Sequence, residues 1–160
     1  LRDAGEIGSN SAGIRDALRR SDNDYPAHCG IALQSDYDES ARKGKITAKV
    51  YSNSEDIYRI TLFILEDNII SPQKSGSTIV ENYAHNHVVR KMLSSSYKGD
   101  RVGELGVGQE QTVEYDFTLP EQWVAENCSI CALIIDGTST VNNVNVCRLV
   151  DGSADYNIEK

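Results

Sequence analysis

The stretch "YRITLFILED", Tyr58–Asp67, decides the fold. Ile60, Leu62 and Ile64 alternate with the two-residue period of a β-strand, while Phe63 and Leu65 make the opposite face apolar as well. A strand apolar on both faces belongs inside a sheet, not at its edge, with cover on each side. Asp67-Asn68 then supplies turn chemistry, so "DNII" reads as a hairpin turn. On the N-terminal side, "KITAKVYS" (45–52) sets Ile46, Ala48 and Val50 against Thr47 and Lys49. Before it, "CGIALQSDY" (29–37) alternates through Cys29, Ile31 and Leu33.

On the C-terminal side, "SYKGDRVGELGVGQEQ" (96–111) is rich in glycine and charge and reads as a loop. "QTVEYDFTL" (111–119) alternates through Val113, Tyr115 and Phe117, and "PEQWVAENC" (120–128) is a connection. "SICALIIDG" (129–137) and "VNNVNVCRLV" (141–150) are the last two strands, joined around Gly137. Seven or eight short strands without alternating helices make an all-β fold, an antiparallel β-sandwich. One helix stands apart: "SAGIRDALRR" (11–20) carries Ile14 and Leu18 one turn apart and has no partner helix. The division is therefore a helix or linker over 1–24, the end of a preceding domain, then a sandwich over 25–150 and a polar, frayed tail over 151–160.

A chain of 160 residues with 39% hydrophobic and 25% charged residues forms one soluble core. A net charge of −8 argues against a nucleic-acid partner, which would need a basic face. No apolar run approaches the roughly 20 residues of a membrane-spanning helix. The chain begins at Leu1 without a basic or apolar leader, so a signal segment is expected to have been removed.

The chemistry centres on "ENYAHNHVVRKML" (81–93). In one continuous strand Tyr83, His85 and His87 share a face, with Asn86, Val88 and Arg90 opposite. Two imidazoles on one face could serve a metal-dependent jelly-roll enzyme, but such a site needs more ligands. The following "VVRKMLSSS" has no carboxylate, and His28 would have to lie alongside. The reading is therefore no metal, no cofactor and no catalysis, with Tyr83, His85, Asn86, His87 and Arg90 as binding residues. Cys128 and Cys131 form a CxxC that opens a strand, where their sulfurs diverge instead of forming a redox pair. A hairpin centred on Gly137 to Ser139 sets Cys131 across from Cys147, either as buried thiols or as a cross-strand disulfide. "SDYDES", with Asp36, Asp38 and Glu39, lacks calcium-loop spacing and reads as a solvated turn. There is no nucleophile elbow, and the glycines of "GELGVGQE" do not open a helix as a phosphate cradle would.

Several fragments together carry a family resemblance: "ITLFILEDNIISPQ", "NYAHNHVVRKML", "VEYDFTLPEQW", "CSICALIIDG" and "VNNVNVCRLV". Over residues 25–150 the chain resembles the Bacteroidetes outer-membrane protein family named for its twenty-eight-kilodalton founder. The block Tyr83, His85, Asn86, His87, Val88 and Arg90 is the most specific part. The resemblance implies an immunoglobulin-like β-sandwich at the C-terminal end of a longer exported protein, with a thioredoxin-like domain before it. It also implies a location at the cell envelope, outer-membrane-associated or secreted, and a lipoprotein, adhesin- or receptor-like role. The partner would be a protein or glycan at the cell surface.

Overall fold

The computed structural model describes residues 11–158. The first ten residues of the expected linker and the last two of the tail lie outside the described residues. Helix α1 (Ser11–Asp24) precedes β1 (Cys29–Asp38), β2 (Lys43–Ser52), β3 (Asp56–Glu66), β4 (Ile69–Ser75) and β5 (Thr78–His85). Then come β6 (Val88–Met92), β7 (Asp100–Leu105), β8 (Glu110–Thr118), β9 (Cys128–Ile135), β10 (Val141–Arg148) and β11 (Ser153–Ala154). One sheet runs β11-β1-β2-β8, and the other runs β10-β9-β3 with β6 and β7 both on the far edge of β3. Every one of these pairings is antiparallel. Ile31, Leu33, Ile46, Ala48 and Val50 of the first sheet meet Ile60, Leu62, Ile64, Ile130, Ala132 and Ile134 of the second in a single buried core. The fold is an all-β sandwich.

β3 is the central strand its two apolar faces demand, with β9 along one edge and β6 and β7 sharing the other. Its inner face, from Tyr58 to Glu66, is fully buried, but its outer face is covered only in part. Thr61 is buried beside the 93–99 segment, where its hydroxyl donates to the Tyr97 carbonyl at 3.4 Å, whereas Ile57 is exposed.

Four expectations are corrected. Asp67-Asn68 does turn, with Asn68 in the left-handed region at φ 59°, but β4 does not return along β3. It pairs with β5 in a separate two-stranded hairpin, and β6 takes the place beside β3. The ends of this insertion are tied together: the Asn68 N–H donates to Asn86 Oδ1 at 2.9 Å, and the His87 N–H donates to Asp67 Oδ1 at 2.5 Å. Second, the glycine-rich stretch contains β7. Its register slips between Tyr58 and Arg59, leaving Val102 as an extra residue, so the buried residues Val102 and Leu105 stand three apart and escape a two-residue pattern. Third, Cys131 faces Val146, and Cys147 faces Ile130. The β9–β10 turn closes on Asp136, whose N–H donates to the Thr140 carbonyl at 2.9 Å, and a bulge follows at Asn142. A one-residue change of register sends a side chain to the opposite face, so Cys147 is buried in the core while Cys131 lies half-buried outside it. Fourth, the segment after residue 150 is not frayed: Ala154 and Ser153 pair with Leu33 and Gln34 of β1, and Gly152 is buried.

The remainder of that β1 edge is closed by side chains. The Asn143 amide donates to the Cys29 carbonyl at 2.7 Å and the Asn145 amide to the Ile31 carbonyl at 2.7 Å. Asn142 Oδ1 accepts from the N–H groups of His28 and Cys29, and Asn157 Oδ1 accepts from that of Ile31. The helix extends four residues beyond the expected end, and Ile14 and Leu18 are 44% and 48% exposed.

Candidate functional site

"ENYAHNHVVRKML" is divided between two strands. β5 ends at His85, and His87 adopts φ 55° in the turn before β6. Tyr83 and His85 do share a face, with ring centroids 4.9 Å apart at 70°. His87 leaves that face because the Asn86-His87 turn interrupts the strand, and its side chain is 78% exposed. The shared face of Tyr83, His85 and His87 is therefore corrected, and Asn86 closes the hairpin base through its side chain. Arg90 turns inward. Its Nη1 lies 3.3 Å from Glu66 Oε2, and its guanidinium stacks 4.8 Å from the centre of the Trp123 ring. Glu66 Oε1 accepts from the Val124 N–H at 2.9 Å, so this knot fixes the 119–127 connection from one side. Arg42 fixes it from the other, donating to the carbonyls of Leu119, Pro120 and Trp123.

The second polar assembly gathers where three strand ends meet: the start of β1, the start of β3 and the end of β9. His28 Nε2 lies 3.8 Å from Asp56 Oδ2 and 3.9 Å from Asp136 Oδ2. His28 Nδ1 contacts the Tyr58 hydroxyl at 2.8 Å, and that hydroxyl contacts Ser52 Oγ at 2.7 Å. Each aspartate has its other oxygen occupied. Asp56 Oδ1 accepts from the N–H groups of Ile57 and Gly137, and Asp136 Oδ1 accepts from Thr138 and the Thr140 N–H. Burial raises the Asp136 carboxyl pKa, but the Thr138 and Thr140 hydrogen bonds and the nearby His28 outweigh it and hold the group below its ordinary value. This grouping was not read from the sequence. Asp56 and Asp136 lie 28 and 108 residues from His28, and only the pairing of β3 with β9 joins them.

The remaining sequence candidates resolve as local structure. Asp38 Oδ1 caps its own turn by accepting from the N–H groups of Ser40 and Ala41 and from the Ser40 hydroxyl. All four cysteines are free, with Cys128 facing the core and Cys131 facing away from it. Burial pushes the thiol of Cys29 up to about 12, helped by Asp136 and Asp56, and burial pushes those of Cys128 and Cys147 up to about 11. These thiols stay protonated and shielded at pH 8. A thiol-reactive disulfide reagent at pH 8 is therefore expected to modify at most one cysteine, Cys131, in the folded chain and all four after denaturation. Rapid modification of two or more in the folded state would contradict the buried assignment.

Comparison with known proteins places this architecture. HBP35 of Porphyromonas gingivalis superposes with a TM-score of 0.67 at 17% identity, covering 90% of this chain and 48% of HBP35. The chain thus spans about half the length of that protein. A domain of the outer membrane lipoprotein Omp28 from Porphyromonas gingivalis superposes with a TM-score of 0.52 at 22% identity, covering 76% of this chain and 87% of that domain. At these identities the superpositions establish a shared fold. No curated protein matches the chain. The model of the family described as outer membrane protein Omp28 matches residues 6–151, through both sheets and the projecting hairpin. The chain belongs to the Omp28 family of outer membrane proteins, a family of the cell envelope.

Proposed function

We propose that the chain is a non-catalytic binding module of the cell envelope, adhesin- or receptor-like, that engages a protein or glycan through the β4–β5 hairpin and its base. One observation carries this reading: the hairpin pairs with neither sheet and holds large apolar groups in solvent. Ile70 and Ile79 are 56% and 58% exposed, and Val80 and Tyr83 are exposed beside them. A two-stranded hairpin is marginal by itself in water, and a protruding apolar surface of this kind is characteristic of a recognition site. Tyr83, packed edge-on against His85, offers a rigid aromatic anchor with a polar tip, suited to a protein hot spot or a sugar face. Asn86 and His87 flank it at the hairpin base, while Arg90 supports the base from inside. The partial coverage of HBP35 supports placing this sandwich within a longer surface protein.

The test is binding of the purified chain to arrays of surface glycans and extracellular proteins, repeated with Ile70→Ser/Ile79→Ser/Tyr83→Ser. The triple variant is expected to lose at least about tenfold in affinity for any ligand held by the parent chain. Its melting temperature should move by less than about 2 °C, because the hairpin lies outside the core. Retained binding in the variant, or no ligand on either array, would overturn the proposal.

A further inference from the structure

The hydrogen bonds behind His28 fix which of its nitrogens carries the proton. Ser52 Oγ lies 2.5 Å from the Ser54 carbonyl, which can only accept, so the one Ser52 hydroxyl proton is committed there. The Tyr58 hydroxyl must then donate to Ser52 Oγ, and its oxygen is left to accept from His28 Nδ1–H. In the neutral ring this leaves a lone pair on Nε2, and Nε2 faces Asp56 Oδ2 at 3.8 Å and Asp136 Oδ2 at 3.9 Å. Three electron-rich atoms converge on one point, at separations too long for hydrogen bonds. Asp136 is 8% exposed, so solvent alone does little to relieve this arrangement.

We propose that His28 Nε2, Asp56 Oδ2 and Asp136 Oδ2 bind a divalent transition-metal ion. His28, Asp56 and Asp136 each offer one ligand atom, and the three lie within 4.8 Å of one another. A set of three ligand atoms with two separations of 3.8 and 3.9 Å and none above 4.8 Å has a centre no more than about 2.5 Å from each atom. Zinc bonds to imidazole nitrogen and carboxylate oxygen are about 2.0–2.2 Å long, so an inward shift of a few tenths of an ångström completes three bonds. One nitrogen with two carboxylate oxygens suits zinc or manganese better than calcium, which takes oxygen ligands only. The outer arrangement is that of a built metal site: Tyr58 orients the imidazole, and backbone N–H groups orient both carboxylates. The partly exposed side chains of His28 and Asp56 leave a solvent path to the ion. Bound there, the ion would staple the start of β1 to the start of β3 and to the β9–β10 turn. The site is separate from the hairpin proposed for recognition and uses neither His85 nor His87.

Zinc chloride titrated calorimetrically into chelator-treated full chain at pH 7.5 is expected to bind one to one with micromolar or tighter affinity and to raise the melting temperature. Asp56→Asn keeps Oδ1 for the Gly137 N–H, and His28→Ala leaves the Tyr58–Ser52 bond in place, so each is expected to fold while losing at least about tenfold in zinc affinity. Circular dichroism checks that both variants are folded. His85→Ala/His87→Ala is expected to leave the affinity unchanged. Absence of stoichiometric binding by the parent chain at about 100 µM zinc would overturn the proposal. Binding that survives His28→Ala but vanishes with His85→Ala/His87→Ala would overturn it as well.

Discussion

Arg90→Ala is expected to lower the unfolding free energy by about 3 kcal/mol, measured by urea denaturation followed by circular dichroism. Glu66 is 4% exposed and meets one guanidinium, at 3.3 Å. Removing a partner from a buried ion pair costs about 3–5 kcal/mol, because the remaining charge is held out of water. Arg90 is one-quarter exposed, so the lower end of that range applies. The truncation also removes the cation over Trp123, the only tryptophan of the chain, so its fluorescence should report the same loss locally. Glu66→Gln/Arg90→Met removes both charges together and is expected to be the more stable variant, since the penalty lies in the orphaned charge and not in the missing bridge. A loss below about 1 kcal/mol for Arg90→Ala would show that Glu66 reaches water or another donor. The result also bears on recognition: weaker ligand binding by an Arg90 variant would first have to be separated from loss of fold.

The fold was legible where burial enforces a strict period. "YRITLFILED" announced a central strand because both of its faces are apolar, and the β1, β2 and β8 patterns followed from one apolar face each. Legibility failed where one residue was inserted. Val102 in β7 and Asn142 in β10 are extra residues in their ladders, and each breaks the two-residue pattern that would have revealed the strand or its register. The hairpin was missed for a different reason. β4 carries Pro72 and β5 is exposed along almost its whole length, so neither strand shows the contrast of faces that a sheet packed on a core produces. Among the site residues, Tyr83 and His85 were placed together because they lie on one strand. His28, Asp56 and Asp136 could not be, because their meeting depends on which strands become neighbours, and no local spacing encodes that.

The asparagines of "VNNVNV" show how much one such long-range arrangement can carry. Asn143→Ala/Asn145→Ala is expected to cost about 2–6 kcal/mol, a range that includes the loss expected for Arg90→Ala. Both side chains lie on the inward parity of β10, shared with buried Cys147, where an apolar residue would ordinarily stand. They are polar because β1 has no neighbouring strand beside Cys29 and Ile31, and both of those residues are completely buried. Each amide supplies the donor that an adjacent strand would have supplied, at 2.7 Å in both cases. Truncation leaves two buried carbonyls without partners, at about 1–3 kcal/mol each. It also frees the C-terminal segment, since Asn143 bonds Asn157 in both directions and the Asn145 amide donates to the Asp155 carbonyl. The two effects can be told apart by hydrogen exchange. Unsatisfied carbonyls alone would lower protection evenly across the core amides, whereas release of the segment would deprotect Ile31 and Ser35, whose N–H groups donate to Asn157 and Gly152, before the rest of β1. If the double variant kept parental stability, water would be entering that edge to replace the amides.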